Sequence, residues 1–256
     1  MTDFLKKMRM LAFERAAKIQ PKSLPLNTLD FCEIFTDRTQ PVIISEIKFA
    51  SPTHANLYPG LQSATQIATN YLRAGANALS ILTEPTCFKG DIDFIADIRK
   101  IHANTPILLK DFIVSRVQIQ QALLYGANAV LLIATMLTQS ELIDLYHYSL
   151  SLGLTPIIEI HNQAELAATI SLSPQVILIN QRNLFDLSIN REAYKLIDTI
   201  PKSIYVICAS AIESREQIDT LHTRGFAGFL IGSSLMRHCD PGAALFHLLK
   251  GDPHAR

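Results

Sequence analysis

The chain alternates between short apolar runs and longer segments in which apolar residues recur every three or four positions. The short runs are nearly continuous in Val, Ile and Leu, which is typical of parallel strands that are covered on both faces. They occupy 41–49, 78–84, 106–112, 129–135, 156–161, 176–182, 204–210 and 228–234. The pattern therefore predicts eight buried strands.

The segments between these runs have the periodicity of amphipathic helices. Ser or Thr often stands near the start of a segment, and Gly follows near its end in the three cases of Gly75, Gly126 and Gly225. The clearest predicted helices are 65–76, 115–127, 138–153 and 214–227.

A strand–helix unit repeated eight times predicts an α/β protein, a (β/α)8 TIM barrel. A doubly wound sheet is the alternative, but the eight evenly spaced units and the lack of a GxGxxG turn favour the barrel. Residues 1–40 precede the first strand and predict an extra N-terminal helical segment. We expect residues 1–256 to form a single barrel domain.

Composition narrows the class of protein. The chain is 48% hydrophobic and 18% charged, so it can bury a large core. Its 23 basic residues balance 23 acidic ones, which gives no electrostatic footprint for nucleic acid or an anionic membrane. The four cysteines form no CxxC pair and indicate free thiols in a reducing compartment, so we expect a cytoplasmic protein. No long exposed apolar stripe is evident, and a monomer is expected.

Polar side chains stand at the C-terminal ends of several predicted strands. Lys110 is the clearest case, because it directly follows a buried apolar run and Lys is almost never fully buried without a partner. Residues two apart on a barrel strand share a face. The pairs that can face inward together are Glu46 with Lys48, Lys110 with Phe112, Glu159 with His161, and Asn180 with Arg182. Since barrel active sites lie at this end of the strands, we predict one polar pocket there.

The residue types in this pocket predict acid–base chemistry. Lysines and glutamates that share a pocket shift one another's pKa values. A lysine kept charged by carboxylates can protonate a carbonyl or a leaving hydroxyl, and a carboxylate in a dry pocket can take the proton back. Because Lys48 and Arg182 add positive charge, we expect an anionic small-molecule ligand.

The last two predicted strands end in small residues, and phosphate sites of barrels often follow these strands. In GSSLMR, Gly232 lets the backbone approach an anion, and Ser233 or Ser234 is expected to cap a short helix whose N–H groups face it. The eight histidines show no HxxxH or His–carboxylate spacing typical of a metal site, so no metal is expected.

Five motifs together resemble the indole-3-glycerol phosphate synthase family. They are SEIKFASP, LLKDFIV, IEIHNQAEL, LINQRNL and IGSSLMRHCDPGAAL, and the likeness covers nearly the whole chain. The resemblance implies that 1-(2-carboxyphenylamino)-1-deoxyribulose 5-phosphate closes its ring and loses CO₂ and water. It also implies a reaction in tryptophan biosynthesis that needs no cofactor and no metal.

The resemblance assigns roles to the strand-end residues. Lys110 would be the general acid at the substrate's carbonyl oxygen, and Glu159 an acid–base partner in the dehydration. Lys48 would bind the substrate carboxylate and share in proton transfer. Glu46 and Asn180 would position the anilino and hydroxyl groups.

Other residues would bind the substrate. Arg182 would hold the charge of the pocket in place, and Phe112, Leu131 and Ile231 would pack on the aromatic ring. The residues implied in substrate and phosphate binding are Ser51, Ser210, Ala211, Gly232 and Ser233.

Two stretches depart from the family pattern. The family usually has Glu-Ser-Gly after the seventh strand, where this chain has Ala209-Ser210-Ala211. After the first strand it usually has Ser-Pro-Ser-Lys-Gly, where this chain reads Ser-Pro-Thr-His-Ala over 51–55. Besides an active synthase, these departures leave open a diverged barrel with weakened or lost activity, or another phosphosugar isomerase or synthase on the same fold.

Overall fold

The computed structural model describes residues 2–20, 29–183 and 186–251. Its eight parallel strands pair in chain order and close into one barrel, which confirms the predicted fold. The strands are β1 (Val42–Ile47), β2 (Ala78–Leu82), β3 (Ile107–Lys110), β4 (Ala129–Ile133), β5 (Thr155–Ile160), β6 (Val176–Asn180), β7 (Tyr205–Ala209) and β8 (Gly228–Ile231). Several are shorter than the apolar runs, because the last residues of those runs already belong to the loops at the mouth of the barrel.

Helices surround the barrel. They are α1 (Asp3–Ala16), α2 (Ala64–Ala74), α3 (Pro85–Phe88), α4 (Asp93–Ile101), α5 (Arg116–Tyr125), α6 (Gln139–Ser151), α7 (Gln163–Ile170), α8 (Arg215–Arg224), α9 (Ser233–Met236) and α10 (Pro241–Lys250). In the described part of the chain, 3₁₀ helices cover Phe31–Phe35, Ala134–Met136 and Arg191–Thr199, and the last of these lies in the β6–β7 connection. None of the described helices is long and apolar enough to cross a membrane.

The predicted helix ends follow from local chemistry. Ser63 and Thr138 begin α2 and α6 with reciprocal capping boxes. Gly75, Gly126 and Gly225 end three helices with φ of 108°, 95° and 118°, a left-handed conformation that favours glycine.

Alternation along each strand separates two apolar layers. On β3, Ile107 and Leu109 pack outward against the helices, whereas Leu108 belongs to the interior of the barrel. The same alternation places Lys110 above Leu108 on the inward face. The polar strand-end residues therefore converge on the barrel axis, as predicted.

The N-terminal segment contacts both ends of the barrel. Helix α1 lies across the C-terminal ends of the strands, where Arg15 forms a bidentate ion pair with Asp111 at 2.6 and 2.8 Å. The 3₁₀ helix Phe31–Phe35 lies at the opposite end, where Phe35 stacks on Tyr205 with ring centroids 5.2 Å apart. The predicted helical segment over 1–40 thus contains helix at both ends. Residues 21–28, and residue 184 of the LINQRNL motif, lie outside the described residues.

Candidate active site

A cavity of about 260 Å³ opens at the C-terminal ends of the strands. Its floor is formed by the last inward-facing residues of the barrel, and its walls by the loops that follow. All predicted site residues except Leu131 line it, namely Glu46, Lys48, Ser51, Lys110, Phe112, Glu159, Asn180, Arg182, Ser210, Ala211, Ile231, Gly232 and Ser233.

Lys110 and Glu159 form the buried ion pair at the floor of this cavity. The Lys110 Nζ lies 3.3 Å from Glu159 Oε2, and the two side chains are 16% and 1% exposed. Burial by itself lowers the pKa of Lys110, but the negative charges of Glu159 and Glu46 outweigh it and hold that pKa above its ordinary value. The neighbouring carboxylates therefore favour the charged form of the lysine at the end of β3.

Glu159 is held ionised. Burial raises its pKa, but the charges of Lys110 and His161 and the donor of Asn180 bring it down to about 2. The Asn180 side chain donates to Glu159 Oε1 at 3.1 Å and accepts from the Ser210 hydroxyl at 2.7 Å. A carboxylate with such a low pKa is ionised at neutral pH, where it accepts hydrogen bonds and does not donate them.

A second ion pair lies on the β1 side of the cavity. Lys48 Nζ is 2.6 Å from Glu46 Oε1, and both side chains are largely buried. A Cβ atom on Gly232 would stand 2.4 Å from the same Glu46 oxygen. Because Gly232 has no side chain, the Glu46 carboxylate has room to lie beside Lys48.

The backbone after β7 is strained in the stretch where this sequence differs from the usual family pattern. Ser210 and Ala211 adopt left-handed φ values of 69° and 57°. Such a conformation costs a residue with a Cβ about 1–2 kcal/mol. The methyl group of Ala211 thus occupies a backbone position that suits glycine, and Ala209 offers a methyl group to the cavity where a carboxylate is usual in the family.

Positive charge is concentrated on one side of the cavity. Burial and the neighbouring charge of Arg237 lower the pKa of Arg182, while Glu46 partly offsets them. Within the described ranges, neither arginine forms an ion pair with a carboxylate, although Arg182 donates to the Leu187 carbonyl at 2.8 Å. The two guanidinium groups are thus available to an anion.

The predicted serine cap of α9 is wrong. Gly232 occupies the N-cap position, and no side chain of the described residues caps this helix. Ser233 and Ser234 are its first two residues, and the Ser234 hydroxyl donates to the Ile212 carbonyl at 3.0 Å. β8 ends at Ile231 and α9 begins at Ser233, so Gly232 alone connects them and both serines lie in the first turn of the helix.

Aromatic side chains form the apolar wall of the cavity. Phe112 packs between Phe4 of α1 and Phe88 of α3, with ring centroids 6.2 and 6.1 Å away. Leu131 does not reach this wall: it is fully buried and pairs in register with Ile157, one layer below the floor. Ile133, two residues further along β4, lines the cavity in its place.

His161 was predicted to face inward beside Glu159 but was given no role in the site. It does not line the cavity. Its ring lies between Glu159 and Glu165, at 3.3 and 3.2 Å from their carboxylate oxygens. It therefore contacts the site from behind Glu159.

Comparison with known proteins agrees with this geometry. The family model for indole-3-glycerol phosphate synthase matches residues 5–248. The chain belongs to the indole-3-glycerol phosphate synthase family. The synthase of Sulfurimonas denitrificans is 39% identical over 211 residues, which is 82% of this chain and 79% of that protein. The synthase of Campylobacter hominis is 37% identical over 247 residues, 95% of this chain and 93% of its relative.

Membership of the indole-3-glycerol phosphate synthase family confirms the prediction of a carboxy-lyase of tryptophan biosynthesis. The fold has independent support from the crystal structure of KGPDC from Streptococcus mutans. That chain superposes with a TM-score of 0.60 at 12% identity, over 82% of this chain and 96% of its own length. At this identity the likeness concerns the barrel alone.

The cavity is also lined by residues that the sequence did not predict for the site, among them Phe4, Ile133 and Arg237. Phe4 lies far from any strand, and nothing in the local pattern marks it. Ile133 was hidden because two inward residues of β4 are both apolar, so only the strand register separates them. Arg237 had a signal, since it follows Ser233 by four residues, about one helical turn, in the GSSLMR motif.

Proposed function

We propose that this chain converts 1-(2-carboxyphenylamino)-1-deoxyribulose 5-phosphate into indole-3-glycerol phosphate, CO₂ and water. The observation that carries the proposal is the buried pair of Lys110 and Glu159 at the cavity floor, 3.3 Å apart. It supplies a charged acid and an ionised acceptor side by side in a site with an apolar wall and excess positive charge.

The reaction needs a proton donor and a proton acceptor, and this pair offers one of each. Ring closure forms a carbon–carbon bond at the carbonyl carbon, and the carbonyl oxygen must take up a proton. Lys110 is the acid for that step. Loss of CO₂ returns its bonding electrons to the ring. In the last stage a proton leaves the neighbouring carbon, the ring double bond forms, and the hydroxyl leaves as water by taking a second proton from Lys110 that solvent has reprotonated. Glu159 is ionised and is suited to accept the proton in this last stage.

The basic side chains of the cavity lie in two regions, and each region is proposed to bind a different anionic group of the substrate. Lys48 and Arg182 are proposed to bind the carboxylate before it leaves. Arg237 and Ser233 are proposed to bind the phosphate beyond the end of β8, together with the backbone around Ser210. Phe112 and Ile133 would pack on the aromatic ring, and burial of an aromatic ring against such a wall favours binding.

The cell compartment is also part of the proposal. All four cysteines, Cys32, Cys87, Cys208 and Cys239, are free thiols. Free thiols persist in a reducing environment, which supports a cytoplasmic location. Cysteine labelling of the protein in intact and lysed cells would test it.

The proposal is tested by adding the carboxyphenylamino deoxyribulose phosphate to the purified chain and recording indole fluorescence. The chain has no Trp, so the background is low. Turnover is expected with this substrate and not with phosphoribosyl anthranilate. Turnover of the second compound alone would replace the proposal with a phosphosugar isomerase.

One observation favours a second candidate, a barrel that binds the substrate without turning it over. Ala209 lines the cavity where the family usually has a glutamate. Calorimetric binding of the substrate without product formation would establish this candidate.

A further inference from the structure

We infer that His161 is a positioning residue, which holds Glu159 in the orientation and charge state that Lys110 requires. The inference rests on the proposed function, since it concerns the same acid–base pair. It assigns a task to a buried titratable group that does not line the cavity and that the proposed reaction steps do not use.

The geometry places the imidazole between two carboxylates. Its Nε2 lies 3.3 Å from Glu159 Oε1, and its Nδ1 lies 3.2 Å from Glu165 Oε2. The His161 side chain is 11% exposed, so water contributes little to its solvation. Nδ1 forms a hydrogen bond with Glu165, whereas Nε2 contacts Glu159 as an ion pair and has no hydrogen-bond partner among the described residues. A ring that carries a proton on each nitrogen, as in imidazolium, has the positive charge that attracts both carboxylates.

Glu165 is fixed before it meets the ring. It is an early residue of α7, where its carboxylate accepts from the His161 backbone N–H at 2.8 Å and from Asn162 Nδ2 at 2.6 Å. The Thr135 hydroxyl donates to it as well. These contacts connect the first turn of α7, the loop after β4 and the end of β5, so the carboxylate cannot turn away from the imidazole without breaking several hydrogen bonds.

The charges around the ring agree with this reading. Burial lowers the pKa of His161, but its contacts with Glu159 and Glu165 and the negative charges of these carboxylates raise it to about 9. Glu159 faces the ring from β5 itself and Glu165 from α7, and Lys110 of β3 reaches the other oxygen of Glu159. At neutral pH, the order Lys110–Glu159–His161–Glu165 alternates in sign.

The consequence for the proposed reaction is specific. Glu159 has cations on both of its oxygens, and Asn180 adds a neutral donor. Without the imidazolium, Oε1 keeps only the Asn180 amide, and the carboxylate can rotate away from Lys110. Misplacement of a catalytic group by about 1 Å can cost about 10²-fold in rate.

The first experiment measures the charge of His161 directly. Imidazole ¹⁵N resonances of the purified full chain are recorded against pH, and the His161→Asn variant assigns the signal. The expected titration midpoint is about 9. In Glu165→Gln, which removes one negative charge and keeps a hydrogen-bond acceptor, the midpoint is expected to fall. A wild-type midpoint near 6.5 would overturn the inference.

The second experiment measures turnover. His161→Asn is expected to lower kcat by up to about 10²-fold with little change in KM, because the carboxylate and phosphate contacts of the substrate remain. In Glu165→Gln the alkaline limb of the kcat profile, set by loss of the imidazolium proton, is expected at lower pH than in wild type. His102→Asn is the control, since His102 is half-buried, bonds to Thr69 and lies away from the cavity.

The two experiments separate this inference from the proposed function. If the wild type shows no turnover, the proposed function fails, whereas the ¹⁵N midpoint still decides whether His161 is held as a cation against Glu159. If the wild type is active and His161→Asn matches it in kcat and in pH profile, the inference is wrong and the proposed function stands.

Discussion

Replacing Ala211 by glycine is expected to stabilise the protein. Ala211 has φ of 57°, and a Cβ atom in the left-handed region costs about 1–2 kcal/mol. Glycine removes this cost, but its freer unfolded chain loses about 0.4–1 kcal/mol more entropy on folding. The difference leaves a gain of up to about 1.5 kcal/mol in the free energy of unfolding.

Ala209→Gly is the matched control for this substitution. Ala209 lies two residues earlier, at the end of β7, and is 3% exposed. The same chemical change in a strand is expected to destabilise the protein by at least about 0.5–1 kcal/mol. The two variants should therefore differ from wild type in opposite directions.

Urea unfolding monitored by circular dichroism measures both changes. Ala211→Gly should raise the midpoint at unchanged slope, and Ala209→Gly should lower it. The glycine at 211 should also lower KM if the methyl group obstructs the phosphate. A midpoint for Ala211→Gly at or below that of Ala209→Gly would refute the argument from backbone strain.

Three further predictions concern the cavity and its supports. Ala209→Glu should raise kcat by about 10²–10⁴ if the missing carboxylate takes part in proton transfer, and Ala209→Gln should not; a steady-state assay that finds equal rates for the two would contradict this. Gly232→Ala should raise KM and lower the unfolding free energy by about 1–3 kcal/mol, because the added Cβ would stand 2.4 Å from Glu46 Oε1. Wild-type values of both quantities would show that Glu46 can move freely. The free energy of unfolding should also depend on pH through His161, whose pKa is raised to about 9 in the folded protein. Protonated His161 stabilises the fold fully below pH 6.5, and this contribution is lost as pH rises through about 9. At about 1.4 kcal/mol per pH unit, the stability difference between wild type and His161→Asn should shrink by about 3 kcal/mol across that range, and a constant difference would contradict it.

The strand ends show what a single sequence can predict. The inward direction of Lys110 and Glu159 followed from period-two alternation within apolar runs, because a charged residue interrupts such a run visibly. Their convergence followed from the closed barrel, in which all C-terminal strand ends meet. These inferences need only local pattern and the fold class.

Other features depend on contacts that no local pattern encodes. Leu131 and Ile133 are both inward and apolar, and only the register of β4 against β5 shows which one reaches the cavity. Phe4 enters the site because α1 packs across the barrel mouth through contacts distant in sequence. The role of Glu165 beside His161 required the orientation of the first turn of α7.

The most direct test of the account is the indole fluorescence assay with wild type and Lys110→Ala side by side. Lys100→Ala is the control, since Lys100 is exposed and pairs with Asp97 on the surface of α4. Turnover is expected with wild type and with Lys100→Ala. In Lys110→Ala, kcat is expected to fall by about 10²–10⁴ while the circular dichroism spectrum is retained. Equal turnover by a folded Lys110→Ala would contradict the assignment of Lys110 as the general acid.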